Sequence, residues 1–243
     1  MTSISDLLKK YCAVYVDDCN LSDLAVTNPA LYFSRMWNYL LPALSLFNIP
    51  ENMTEFLFGS AEKPNISEPI SNFTRYMAVS DTENPFSVPL GTDFCDFDLC
   101  SAAIRNTDKD GNIFLMPVSC EYVSETGTVM LSASAENPIA AGTVFEFDFY
   151  KDGYFVNTLS PDMMNIIGMC FQVVWQDRFN TDWLSMVSKV EDRSFSEQNR
   201  ANKMRADTER LEMLMKKLYG EMRRFEQNLY IKKYVPDAKR VKF

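Results

Sequence analysis

The stretch DFCDFDLC sets Cys95 and Cys100 around Asp96 and Asp98, with Asp93 at its start. Thiolates and carboxylates this close are the donor types of a zinc site. A closed site needs four ligands, however, and no second cysteine pair has a matching spacing. The segment DKDGN, Asp108 to Asn112, opens like a calcium loop, but its glycine comes too early and no glutamate stands at the closing position. It is expected to be a hairpin turn. Glu146 and Asp148 form a carboxylate pair of the kind that does acid and base work. Their alternation with Phe145, Phe147 and Phe149 instead places them on an acidic, wet strand face.

Histidine is absent from the 243 residues, which removes Ser-His and Cys-His nucleophile pairs, histidine-ligated metals and the commonest general base. There is no phosphate-binding glycine loop. Cys12, Cys19, Cys95, Cys100, Cys120 and Cys170 read as reduced, mostly buried thiols rather than a disulfide framework. The expectation is a chain that is not an enzyme and takes neither metal nor cofactor.

The net charge of −9 is unevenly spread. Residues 81–159 hold thirteen acids against three bases, Arg105, Lys109 and Lys151. From Ile231 to Phe243 there are five bases against Asp237 alone. An acidic module is thus followed by a basic tail. The module reads either as a solvated surface or as a wall that repels nucleic acid or attracts a basic partner.

The elements that position these residues follow from periodicity. SISDLLKKYCAVYV reads as an amphipathic helix. A second helix starts with Asn28 as N-cap and Pro29 as first helical residue, and Pro42 is expected to kink or end it. A short third helix runs from about Glu51 to Gly59, and residues 60–80, with Pro64 and Pro69, read as a connecting loop. The period then changes to two. LCSAAIRN, NIFLMPVS, TVMLSAS and TVFEFDFY are strands separated by DKDGN, SETG and AENPIAAG, the spacing of an antiparallel sandwich or barrel. Helix returns at Ser160-Pro161-Asp162 and is apolar on nearly every side from Met163 to Trp175. It therefore belongs either at the centre of a bundle or between its own bundle and a neighbouring subunit.

In the last helix Met204, Thr208, Leu211, Met215, Leu218, Met222, Phe225 and Leu229 alternate by four and three. This stripe packs either on the Met163 to Trp175 helix or in an intermolecular coiled coil. The fold expected is α+β: a helical bundle with an inserted antiparallel β-sandwich or barrel and a long C-terminal helix. Its parts are 1–80 and 160–232 as the bundle, 81–159 as the acidic β-module, and 233–243 as a basic docking tail. Contacts to other chains are expected from Met163, Ile166, Ile167, Val174, Trp175, Leu211, Met215, Leu218, Met222, Phe225 and Leu229. In the tail, Tyr234, Val235, Val241 and Phe243 would anchor and Lys239 and Arg240 would flank them.

NPALYFSRMWNYLLPALSLF near the N-terminus, FYKDGYFVNTLSPDMMNIIGMCFQVVWQDRF at the end of the β-module and EMRRFEQNLY in the last helix together resemble little-characterised virion proteins of tailed phages of gut type. Helices interrupted by a β-module are also similar to head-to-tail adaptors, which form rings of about a dozen copies beneath the portal. The resemblance implies a structural neck subunit in a homo-oligomeric ring, with portal and neighbouring ring proteins as partners and DNA only as passing cargo. The alternative it leaves is a tail or baseplate protein whose β-module binds a protein or a surface glycan. No run of eighteen charge-free apolar residues occurs, and MTSISDLLKKY lacks the layout of a secretion signal. No membrane is expected; the protein would be made in the host cytoplasm and reside in the virion.

Overall fold

Where apolar residues recur every second position the chain forms strands, and where caps precede an apolar run it forms helices. A computed structural model describes residues 1–16, 19–79, 86–131, 139–190 and 197–234. Strand β1 (Thr2–Ser3) leads into α1 (Ile4–Leu7), whose first turn is capped by Ser3 Oγ accepting from the Asp6 N–H at 3.0 Å. The helix then widens into a π-helical turn, Leu8–Cys12, and tightens into a 3-10 turn, Ala13–Tyr15. After α2 (Cys19–Thr27), Asn28 caps α3 (Pro29–Leu46) by accepting from the Leu31 N–H at 3.0 Å, as its sequence signals predict. Pro42 lies inside α3, and the helix stops at Leu46. Helix α4 (Met53–Phe58) ends at Gly59, whose φ of 73° suits glycine.

Residues 60–80 are not all loop. They hold β2 (Ile66–Ser67) and the eight-residue β3 (Ile70–Met77). The reason β3 escapes a hydrophobic pattern is that, at a sheet edge, it packs only Tyr76 on the core and mixes polar and apolar residues on both faces. Asn72 and Thr74, on the face shared with Phe149 and Phe147, bond to each other at 3.0 Å, while Phe73 and Met77 are exposed. The strands that follow are β4 (Phe86–Pro89), β5 (Asp98–Thr107), β6 (Ile113–Pro117), β7 (Cys120–Val123), β8 (Thr128–Leu131), β9 (Val144–Lys151) and β10 (Tyr154–Phe155). Helix α5 (Pro161–Val190) is capped by Ser160 Oγ, which accepts from the Met163 N–H at 3.3 Å, and α6 (Glu197–Tyr234) ends the described chain. The protein is therefore mixed helix and strand, with antiparallel sheets and a long C-terminal helix.

By internal contacts the chain divides into two units. One consists of Asp18–Arg35 and Glu68–Gly153, so the strand module takes in α2 and the first turns of α3. It holds two sheets, β3-β9-β5-β6 and β4-β8-β7, all of whose pairs are antiparallel. Phe145, Phe147 and Phe149 of β9 are fully buried in one cluster with Ala102 of β5, Val88 of β4, and Val129 and Leu131 of β8. Their common side on β9 follows from the two-residue period.

The other unit consists of Met1–Asp17, Met36–Ser67 and Tyr154–Phe243. It holds the small sheet β1-β10-β2, the π-helical turn, α4, and both long helices. Helix α5 packs on the π-helical turn, on Ala13–Tyr15 and on α6. No helix among the described residues is long and apolar enough to cross a membrane.

Candidate functional site

Within the strand unit, the four-stranded sheet has two faces, and register assigns their residues. One face is the phenylalanine core. The opposite face carries Ser71, Phe73, Arg75 and Met77 of β3, Val144, Glu146, Asp148 and Tyr150 of β9, Ser101, Ala103 and Arg105 of β5, and Ile113, Leu115 and Pro117 of β6. The predicted acidic pair sits at its middle, but it is not simply wet. Tyr150 is buried and stacks on Phe33 with ring centroids 4.5 Å apart, and Ser71 Oγ donates to the Ala30 carbonyl at 3.1 Å. The N-terminal turns of α3 thus cover this end of the face.

Each carboxylate has partners supplied by its own unit. Asp148 Oδ2 accepts from Asn28 Nδ2 at 2.8 Å and from Ser101 Oγ at 2.6 Å. Asn28 therefore works twice, capping α3 with its carbonyl oxygen and holding β9 with its amide nitrogen. Glu146 Oε1 accepts from Arg75 Nε at 2.8 Å and Arg105 Nη1 at 2.6 Å. Burial pushes the Glu146 carboxyl up, but the hydrogen bond from Arg105 and the charge of Arg75 outweigh it and hold it below the ordinary carboxylate range. Burial, and then the neighbouring Asp152, push the Tyr150 hydroxyl far above the usual phenol range. The two guanidinium groups of Arg75 and Arg105 balance the carboxylates of Glu146 and Asp148, so the middle of this face carries no net charge where the sequence had suggested a negative one.

The other acidic features are local. In DKDGN, Asp108 Oδ1 accepts from the Asp110 N–H at 2.9 Å and the Asn112 N–H at 2.8 Å, and Oδ2 from Asn112 Nδ2 at 3.0 Å. These bonds, led by the side chain of Asn112, hold the Asp108 carboxyl below its ordinary range and close the β5–β6 hairpin. Cys95 Sγ donates to the Glu125 carbonyl at 3.6 Å and Cys100 Sγ to the Asp98 carbonyl at 3.9 Å. Among the described residues no three His, Cys, Asp or Glu side chains gather as metal ligands.

In the helical unit, the residues expected to contact other chains divide sharply. Met163, Ile166, Ile167, Leu218, Met222 and Phe225 are buried, so their apolar surface is taken up by the chain itself. Val174, Trp175, Leu211 and Met215 are half-buried, and Leu229 is exposed. Tyr39 touches both Phe171 (6.1 Å between centroids) and Trp175 (4.8 Å), and the Arg178 guanidinium stands 4.8 Å from the Tyr39 ring centre. Phe47 meets Phe225 edge-on at 5.9 Å. Of the two placements open to the Met163 to Trp175 helix, within its own bundle or against a neighbouring subunit, Met163, Ile166 and Ile167 take the first: the π-helical turn, α3 and α6 pack on it as the N-terminal segment folds back onto α5. Buried Leu218, Met222 and Phe225 show the α6 stripe packing within the chain over its middle turns. The docking-tail residues Val235, Lys239, Arg240, Val241 and Phe243, and the side chain of Tyr234, lie outside the described residues.

A cavity of about 270 Å³ opens between α5 and α6 over Ile166, Met169 and Phe225. Asp162 and Glu221 oppose Lys217 and Arg224 around it, and Arg224 and Glu221 are bonded at 2.9 Å, so its charges cancel and select no ligand class.

Arg75, Asn28 and Phe33 were invisible as site residues because their partners lie far along the chain. One signal for Arg105 existed: it is one of only three bases in an acidic module. No protein-family model, curated protein or solved structure matches the chain.

Proposed function

We propose that this chain is a structural subunit of a tailed-phage virion, a head-to-tail adaptor that forms a neck ring between portal and tail. Its fold on this reading is a helical bundle with an inserted β-sandwich, the two sheets facing each other across the Phe145, Phe147 and Phe149 core. The observation that carries the assembly is the α6 stripe. Its own chain buries Leu218, Met222 and Phe225, while Leu229, Tyr230 and Ile231 stay exposed one turn further on, an apolar surface suited to a neighbouring subunit. The basic residues beyond it would dock on an adjoining ring.

The structure changes one part of the sequence argument. Glu146 and Asp148 are occupied by Arg75, Arg105, Asn28 and Ser101, so a negative channel wall would rest on the module's exposed acids, such as Asp93, Glu121 and Glu125, and not on this pair. Passing DNA would still meet few cations there to displace its counterions.

A second reading, a tail or baseplate protein whose β-module holds a protein or a surface glycan, is favoured by the exposed aromatic rings of Phe73 and Phe114. Negative-stain imaging of the purified chain, alone and mixed with portal rings, separates the two. Annular particles support the neck subunit; single small particles in both samples sink it.

A further inference from the structure

We propose that copies of this chain join head to tail by continuing one β-sheet, the β6 edge of each pairing with the β3 edge of the next. This rests on the reading of the chain as an assembling subunit. The sheet order is β3-β9-β5-β6, and among the described residues neither β3 nor β6 has a strand on its outer side. With four strands alternating in direction, β6 of one copy and β3 of a like-oriented neighbour run antiparallel.

The hydrogen-bonding phase also fits. The Val118 N–H donates to the Ala102 carbonyl, so, counting by two, Met116 and Phe114 turn their backbone groups toward β5, leaving Ile113 and Leu115 to turn theirs outward. The Ala78 N–H donates to the Thr143 carbonyl, which by the same count turns Phe73, Arg75 and Met77 of β3 outward. All five residues carry their side chains on the sheet face opposite the phenylalanine core. Pairing the two edges therefore keeps each face of the sheet continuous from copy to copy.

The side chains match as well. Ile113, Phe114 and Leu115 on β6 and Ile70, Phe73 and Met77 on β3 are each exposed by half or more. Their exposed surface is on the order of 600 Å², against roughly 1,600 Å² for a standard interface, so one joint is weak alone and a closed ring with two joints per copy is strong. Exposed edges usually carry charges that prevent such pairing. β6 has no charged residue, and β3 has only Arg75, whose guanidinium is already engaged by Glu146 of its own chain. Pro117, at the end of β6, is the one proline on either strand.

Cross-linking of the full chain tests this. Phe73 and Leu115 are three strand spacings apart across the sheet within one copy, roughly 14 Å, and four residues apart along it, about 13 Å more, too far for a disulfide. Phe73→Cys with Leu115→Cys, exposed to a mild oxidant or a short thiol cross-linker, should give a ladder of dimers, trimers and higher species. Either substitution alone should give no ladder beyond the unsubstituted chain. Leu115→Lys should raise the concentration for half-maximal association about tenfold or more while leaving the melting temperature in place. A double variant that links no further than the single ones overturns the joint, as does a chain that stays monomeric because a protein or glycan covers these residues instead. Annular particles that survive Leu115→Lys overturn the joint while leaving the ring subunit standing.

Discussion

A methyl group built on Gly168 of α5 would stand 2.6 Å from the carbonyl oxygen of Tyr11 in the π-helical turn. The Tyr15 ring, at 2.9 Å, closes the same space. No side chain fits there without moving backbone. Gly168→Ala should destabilise the protein by about 1–3 kcal/mol despite alanine's better helix propensity. Gly220, in α6, has nothing within 4 Å of such a methyl group. Gly220→Ala should stabilise by up to about 1 kcal/mol, or about 2–4 °C in melting temperature for a chain of this size. Thermal melts of the two variants check the opposite signs; equal shifts would mean that α5 does not approach the π-helical turn so closely.

The carboxylate of Glu146 should make stability depend on acid. Its folded-state pKa lies below its unfolded value, so its contribution is fully present above the unfolded value and is lost as pH falls through the folded one. The melting temperature should therefore drop between about pH 5 and pH 3, and Glu146→Gln should flatten that slope at a cost of about 1–2 kcal/mol at neutral pH. The Arg105 side chain is 26% exposed against 65% for Arg75, so solvent screens Arg75 more. Arg105→Ala should cost more than Arg75→Ala.

Asn28 can be separated into its two tasks. Asn28→Ser keeps a cap for α3 and loses the bond to Asp148; Asn28→Asp keeps the cap and sets a second carboxylate against the first. At pH 7 the aspartate variant should be the less stable of the two, by about 1 kcal/mol or more, and the gap should narrow in acid as one carboxyl takes a proton. Denaturant titrations at pH 7 and pH 4 give both numbers. A gap that does not change with pH would remove Asp148 from the explanation.

Thiol reactivity should follow burial. Cys12 is buried and its thiol is pushed far up by that burial and by the nearby Cys170, whose own thiol burial raises to about 12. Cys95 is half-exposed. Brief alkylation at pH 8 followed by peptide mass analysis should label Cys95 well before Cys12 or Cys170. Early labelling of Cys170 would show that α5 opens easily.

The sequence by itself determined the elements whose causes are local. Asn28-Pro29 and Ser160-Pro161 start helices because the caps bond backbone donors three residues on. The alternation of TVFEFDFY places Phe145, Phe147 and Phe149 in a core since the strand period is two. It also identified the α6 stripe, without saying how much of it one chain can cover. Only the tertiary structure decided where partners come from. Strand β3 lacks a legible pattern because both its faces mix residue types: Asn72 and Thr74 bond each other beside Tyr76 on the core side, while Phe73 and Met77 alternate with Ser71 and Arg75 on the other. Arg75 meets Glu146 from 71 residues away, Arg105 from 41 and Asn28 meets Asp148 from 120. No periodicity carries such distances: they depend on which strand lies beside which, and that order is set when the whole sheet packs.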